Sequence, residues 1–390
     1  MLGHRACVPD VLCFWLELHL ALKLKLRSRV LQTKTQRPAQ KLFETCKLRL
    51  IRTDMSPTPS TQRRVAIVAT GGTIASTAPD SAQLGDYSVS TDVHALASAV
   101  PGLTELAQLE FEQVCNIESH EIDDAILFQL TRSVQALCDR TDIDGVVITH
   151  GTDTLEETAY LMHLTLDTQK PVVLVGAMRP GSALSADGPL NLYHAVVVAC
   201  APESTGKGVL VVMNDRIASA RHVTKGHANG VDAFVPTEFG YLGLVSGRWV
   251  QYLTQSTLKH TANSEFRRVY QKESFTLPPV DVIYDHQAAG VHIYRASIDS
   301  GVRGVVLAAT GQGSLSPQAQ EGAALAQQAG VLMVRSSRVW QGLVRASEAD
   351  ARCGTLAAYS LNPAKARVLL RLALAKTPDP ETIQAWFASY

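Results

Sequence analysis

Two short segments of the 390-residue chain concentrate groups that can do chemistry: Ala69-Thr70-Gly71-Gly72-Thr73-Ile74-Ala75-Ser76 and Thr149-His150-Gly151-Thr152-Asp153-Thr154-Leu155-Glu156-Glu157. Each follows an apolar, β-branched run, so each lies on the loop that leaves a buried strand, where α/β proteins place their functional groups. The glycine pair bares the amides that follow it and lets a ligand approach the backbone, which suits an anion or a developing oxyanion. A tight strand-to-helix turn accounts for the same pair. A phosphate-binding P-loop does not, because GxxxxGK[ST] is absent. Within the second segment, residues 149–154 gather three hydroxyls, an imidazole and a carboxylate, each of which needs a partner if buried. Capping of the following helix by Asp153 or Thr154 explains one acid and one hydroxyl. It leaves the rest of the set unexplained.

A threonine nucleophile must pass its proton to a base, and a lysine can serve when a carboxylate orients the relay. Lysines are scarce in the middle of the chain, which draws notice to Lys225 in Val223-Thr224-Lys225-Gly226, although a surface lysine is the ordinary reading of such a residue.

These loops require a scaffold, and the pattern from Arg64 onward supplies one. Strand, loop and helix alternate: strands are expected at 65–69, 111–116, 145–149, 171–175 and 208–213, and helices at 93–100, 123–140, 154–166 and 189–199. This predicts an α/β fold, with a doubly wound, mostly parallel sheet in a larger N-terminal domain. A polar, strand-poor stretch at 254–279 reads as a linker between residues 55–253 and 280–390. The rhythm then restarts with strands at 280–284, 304–308 and 331–335 and a helix at 362–374, predicting a smaller C-terminal α/β domain.

Hydrophobic residues at 46% and charged residues at 18% describe an ordinary globular chain. The zero net charge hides a basic start: residues 1–54 carry 11 Lys or Arg against 4 acids, leaving a mildly acidic body for which no nucleic-acid footprint is expected. Seven cysteines show no CxxC pair and no tight spacing with histidine, so neither a metal site nor a disulfide framework is expected. The apolar run at 11–22 is too short to span a membrane and lacks a small-residue cleavage site. Residues 1–54 read as a leader of doubtful status, with Met55 as an alternative start.

The two loops, together with Gly176-Ala177-Met178-Arg179-Pro180, Ser185-Ala186-Asp187-Gly188-Pro189, Val211-Val212-Met213-Asn214-Asp215, Val334-Arg335-Ser336-Ser337-Arg338 and Leu361-Asn362-Pro363, resemble the signature segments of the bacterial-type L-asparaginases, amidohydrolases that include glutaminase-asparaginases. The likeness spans residues 64–390. It implies hydrolysis of L-asparagine, and of L-glutamine in tolerant members, through a threonine-bound acyl-enzyme and without a metal or organic cofactor. Thr73 takes the nucleophile position and Tyr87 that of the lid tyrosine, while Thr152, Asp153 and Lys225 match the second threonine, aspartate and lysine. Ser119 matches a serine that holds the substrate carboxylate, and Asp153 the group that pairs its ammonium. Glu348 is the expected acid from a neighbouring subunit of a homotetramer whose sites lie between subunits.

There are departures. His120 stands where Gln or Glu is usual, which ties ammonium recognition to a group that titrates near neutrality. Ser314 replaces an asparagine of asparagine-selective members. Thr168 stands near the place of the partner that Cys138 would need for the disulfide of exported members, which favours a cytoplasmic enzyme. Two other readings compete: the amide-releasing subunit of a tRNA-dependent amidotransferase, and an inactive amino-acid sensor. The first calls for an RNA-contacting domain, and the second has no use for the complete threonine and lysine set.

Overall fold

A computed structural model describes residues 62–82, 85, 87–272 and 275–390, so the leader expected at 1–54 and the alternative start at Met55 lie outside the described residues. Thr61–Tyr390 form one compact unit. In chain order the strands are β1 Arg64–Gly71, β2 Ser76–Thr77, β3 Ser88–Val89, β4 Gln108–Ile117, β5 Gly145–Thr149, β6 Val172–Val175, β7 Val209–Met213, β8 Arg216–Ser219, β9 Val223–Lys225, β10 Phe234–Pro236, β11 Gly243–Ser246, β12 Trp249–Tyr252, β13 Val280–Tyr284, β14 Gly304–Ala309, β15 Leu332–Ser337 and β16 Thr355–Ala357. The helices are α1 Val93–Ser98, α2 Asp124–Asp139, α3 Leu155–Thr165, α4 Gly188–Cys200, α5 His292–Asp299, α6 Pro317–Gln328, α7 Glu348–Cys353, α8 Pro363–Leu374 and α9 Pro380–Ser389.

The large sheet has eight strands in the order β12-β11-β8-β7-β6-β5-β1-β4, parallel from β4 through β7 and antiparallel beyond. Its central strands are apolar on both faces because helices cover both. Val65, Ile67, Val147 and Val173 pack with α1 and α4 on one face, while Ala66, Val68, Val146 and Ile148 pack with α2 and α3 on the other. This is the period-2 alternation of a strand buried on two sides. The small sheet, β13-β14-β15-β16, is parallel throughout. The expected fold, a large mostly parallel sheet with a separate small parallel sheet, is the one observed.

Two differences matter for the site. Lys225, read from sequence without a secondary-structure assignment, ends a short strand, β9, paired antiparallel with β10. The described residues of the 254–279 stretch form no strand, and Phe266 and Tyr270 are buried in one cluster with Tyr160 of α3 and Leu369 of α8.

The small sheet owes its loop geometry to a buried ion pair. Arg335 Nε and Nη2 each donate to Asp350 at 2.6 Å, and Nη1 donates to the Gly313 carbonyl at 2.7 Å. The Thr355 hydroxyl and the Ser347 amide also donate to Asp350. Burial works against ionisation of Asp350, yet the Arg335 guanidinium and these donors hold its carboxyl below the usual range. Arg335→Met leaves that carboxylate unpaired in a site 7% exposed. Equilibrium urea unfolding should show a loss of about 3 kcal/mol, and a loss below about 1 kcal/mol would contradict this role for the pair.

Candidate active site

The loops after β1, β4, β5 and β6 leave the same edge of the sheet because those strands are parallel. Glycine lets them touch. Gly72, at φ 79°, stands so close to Gly151 that a Cβ on it would lie 2.2 Å from the Gly151 Cα, and a Cβ on Gly151 would meet Ser119 Cβ at 2.8 Å. The Gly72 amide donates to the Ile117 carbonyl at 2.9 Å, fastening the first loop to the end of β4. Gly72→Ala must therefore force the two loops apart. Turnover should fall by at least about 10²-fold with the circular dichroism spectrum retained, and wild-type turnover would contradict this close approach.

On that junction Thr73 is 7% exposed, and its hydroxyl lies 2.8 Å from the Tyr87 hydroxyl. Lys225 Nζ donates to Thr152 Oγ1 at 3.0 Å and to Asp153 Oδ1 at 2.5 Å. With its ammonium donating to Thr152, that hydroxyl remains free to donate into the space beyond it. All five side chains line one cleft of about 450 Å³, together with Glu118, Met178 and Asn229. Met178 is held in place from below. Asp187 accepts from the Met178 and Arg179 amides and from Asn191 Nδ2, so the Ser185–Pro189 segment acts as a brace for the cleft wall.

The structure therefore brings Thr73, Tyr87, Thr152, Asp153 and Lys225 together. The other expected residues lie elsewhere. Ser119 is buried behind Gly151, its Oγ accepting from the Thr154 amide at 3.3 Å. His120 is exposed, 3.6 Å from Glu118, and with Ser119 lines a neighbouring cavity of about 340 Å³ that includes Thr154, Glu157 and Arg371. Ser314, between β14 and α6, and Glu348, the first residue of α7, are both exposed on the small-sheet side of the chain and are not among the residues lining the cleft.

Several polar groups of the second loop turn out to be structural. The His150 ring is fully buried, which pushes its pKa down to about 4, and its Nδ1–H donates to the Gly151 carbonyl at 2.7 Å, so it is neutral and fixes the loop. Thr154 sits at the N-cap of α3, but its hydroxyl goes to the Ser119 carbonyl at 2.8 Å instead of to the helix. Asp153, the other capping candidate, is taken by Lys225. Glu156 reaches across to the Thr224 hydroxyl and to Asn362 Nδ2, tying α3 to β9 and to the start of α8. Glu118 went unremarked in the sequence because an acid next to a strand end is usually solvated; its place in the cleft follows from the register shift of β1 against β4 between Ala69 and Gly71.

Burial pushes the Cys138 thiol up to about 11, with the Thr168 hydroxyl beside it working the other way. Cys138 is unpaired, and Thr168 occupies the neighbouring place.

Fold and site together define a class: a two-sheet α/β enzyme with its polar groups on the loops at the carboxyl ends of parallel strands. Within that class, residues 64–258 match the model described as "Asparaginase, N-terminal" and residues 279–387 the "Glutaminase/Asparaginase C-terminal domain". The chain belongs to the asparaginase family. It is 46% identical to L-asparaginase 2 of Bacillus subtilis over 327 residues, 84% of this chain and 86% of that protein. It is 44% identical to the glutaminase-asparaginase of Acinetobacter glutaminasificans, over 84% of this chain and all of that protein. A crystal structure titled as a probable cytoplasmic L-asparaginase from Campylobacter jejuni superposes with a TM-score of 0.81 at 43% identity, covering 84% of this chain and 100% of that one.

Proposed function

We propose that this chain hydrolyses the side-chain amide of L-asparagine to L-aspartate and ammonia, with L-glutamine as a second substrate. The observation that carries this reading is the convergence of the Thr73–Tyr87 pair and the Thr152–Lys225–Asp153 chain on one cleft. Thr73 Oγ attacks the amide carbon, and the bond to nitrogen breaks as that nitrogen takes up a proton and leaves as ammonia. Water then cleaves the threonyl ester, restoring the hydroxyl and releasing the acid. The linked hydroxyl, amine and carboxylate of Thr152, Lys225 and Asp153 form a proton path beside the attacking group. Amides after Gly71-Gly72 are suited to receive the developing oxyanion.

Recognition of the amino-acid end is assigned to Asp153, with His120 at the position tied to the same group, for the ammonium and to Ser119 for the carboxylate. Glu118 adds a second acid to the cleft. Ser314 and Glu348 are given their roles across a subunit boundary, in a homotetramer. Their exposure on the small-sheet side, beside exposed Val339, Trp340 and Leu343, supports that placement. The division into residues 55–253, 254–279 and 280–390 belongs to the same reading, as does a cytoplasmic setting, which accords with the description of the Campylobacter jejuni structure.

Ammonia release from free asparagine and free glutamine tests the proposal. Release from asparagine is expected. Release from neither amide, by protein whose unfolding is cooperative, would overturn it in favour of an amino-acid sensor or an amidotransferase subunit.

A further inference from the structure

Arg221, between β8 and β9, is 3% exposed. Its Nη2 donates to Ser360 Oγ at 2.9 Å, and its Nε has no hydrogen-bond partner. Among the described residues no carboxylate pairs with it. A second buried cation lies close by: Lys365, 2% exposed, donates to the carbonyls of Arg221 and Val223. The acid near Lys365 is Glu156, at 3.9 Å. Lys365 thus has a carboxylate at 3.9 Å, while the Arg221 guanidinium lies 5.9 Å from the Tyr160 ring and has no ion-pair partner among the described residues, an arrangement that leaves a buried positive charge uncompensated.

Arg221 and its partner Ser360 both line a cavity of about 320 Å³, distinct from the Thr73 cleft. Hydroxyls of Thr254 and Ser256 and the rings of Phe239 and Phe387 also line it. His222 lines it as well, but burial and the neighbouring cations push its pKa down to about 3, so it adds no charge, and its ring stacks on Phe239 at 4.5 Å.

We propose that this cavity binds a small organic carboxylate, its carboxylate on the Arg221 guanidinium and its apolar part against Phe239 and Phe387. One available guanidinium suits a singly charged group, and the aromatic wall suits a carbon chain better than a bare inorganic oxyanion. The place is consequential. Arg221 lies four residues before Lys225 on the same stretch of chain, and Lys365 clamps the carbonyls between them. An occupant would brace β9, which carries the lysine of the cleft.

The test is calorimetric titration of the full chain with sodium butyrate, with phosphate and chloride at equal ionic strength as the other arms. No amide is present, so the outcome is independent of the hydrolytic reading. Saturable binding of one butyrate is expected, weakened at least about tenfold in Arg221→Met. Phe239→Glu, at a rim position 48% exposed and therefore tolerant of substitution, should also abolish it by setting a like charge beside the site, and this variant stands if Arg221→Met does not fold. No heat beyond the chloride arm, or butyrate binding unchanged in both variants, overturns the site. Phosphate binding as tight as butyrate overturns the assignment to an organic carboxylate.

Discussion

Thr73→Ala lowers ammonia release from asparagine by at least about 10⁴-fold while leaving the unfolding midpoint within about 2 °C of wild type. The expectation rests on three features. The hydroxyl is the one polar atom of a side chain otherwise buried at the start of a short 3-10 turn, so its removal costs little packing. Its hydrogen-bond partner, Tyr87, lies toward the cleft and can turn to water. No other residue presents a hydroxyl from the first loop to the cleft among the described residues that line it. Steady-state ammonia assays with thermal unfolding decide the matter, and activity within tenfold of wild type would remove Thr73 from the attacking role.

Lys225→Met is expected to lower kcat by about 10³-fold with a smaller change in KM. The lysine is the one link between Thr152 and Asp153, at 3.0 and 2.5 Å, and methionine preserves its length without donating to either. Asp153 is largely exposed and keeps its water when the amine is lost, so the change reads on chemistry more than on stability. Because both groups serve one step, the double variant Thr73→Ala with Lys225→Met should be no slower than Thr73→Ala alone. An additive loss would mean that Lys225 acts separately from the attack.

How much of this was legible in the sequence depends on burial. Strands that are apolar on both faces announced themselves, and 145–149 is the observed β5, buried throughout; 280–284 is the observed β13 although Val282 and Tyr284 are exposed. The meander from β8 to β12 did not, because its strands are three or four residues long and those at the sheet edge, such as Trp249–Tyr252, alternate between exposed and half-buried. Lys225 could be singled out as an isolated lysine, but nothing in its neighbours told that β9 would pair with β10 and aim it at Thr152. The glycines of the two loops were readable as turn formers; that Gly72 and Gly151 face each other is a property of parallel strand order. Perturbed groups were hidden for the same reason. Burial pushes Lys365 down to about 7, the shift looked for in a catalytic lysine, yet its amine faces backbone carbonyls outside the cleft. Burial sets a pKa, and geometry decides whether the group has chemistry to do.

The central claim is that Thr73, and not the nearby Thr152, forms the covalent bond. Acid quenching of wild type during turnover of asparagine, followed by peptide mass spectrometry, tests it most directly. An aspartyl ester is expected on the peptide that carries Thr73. An ester on the peptide that carries Thr152, or turnover with no ester on either, would contradict it.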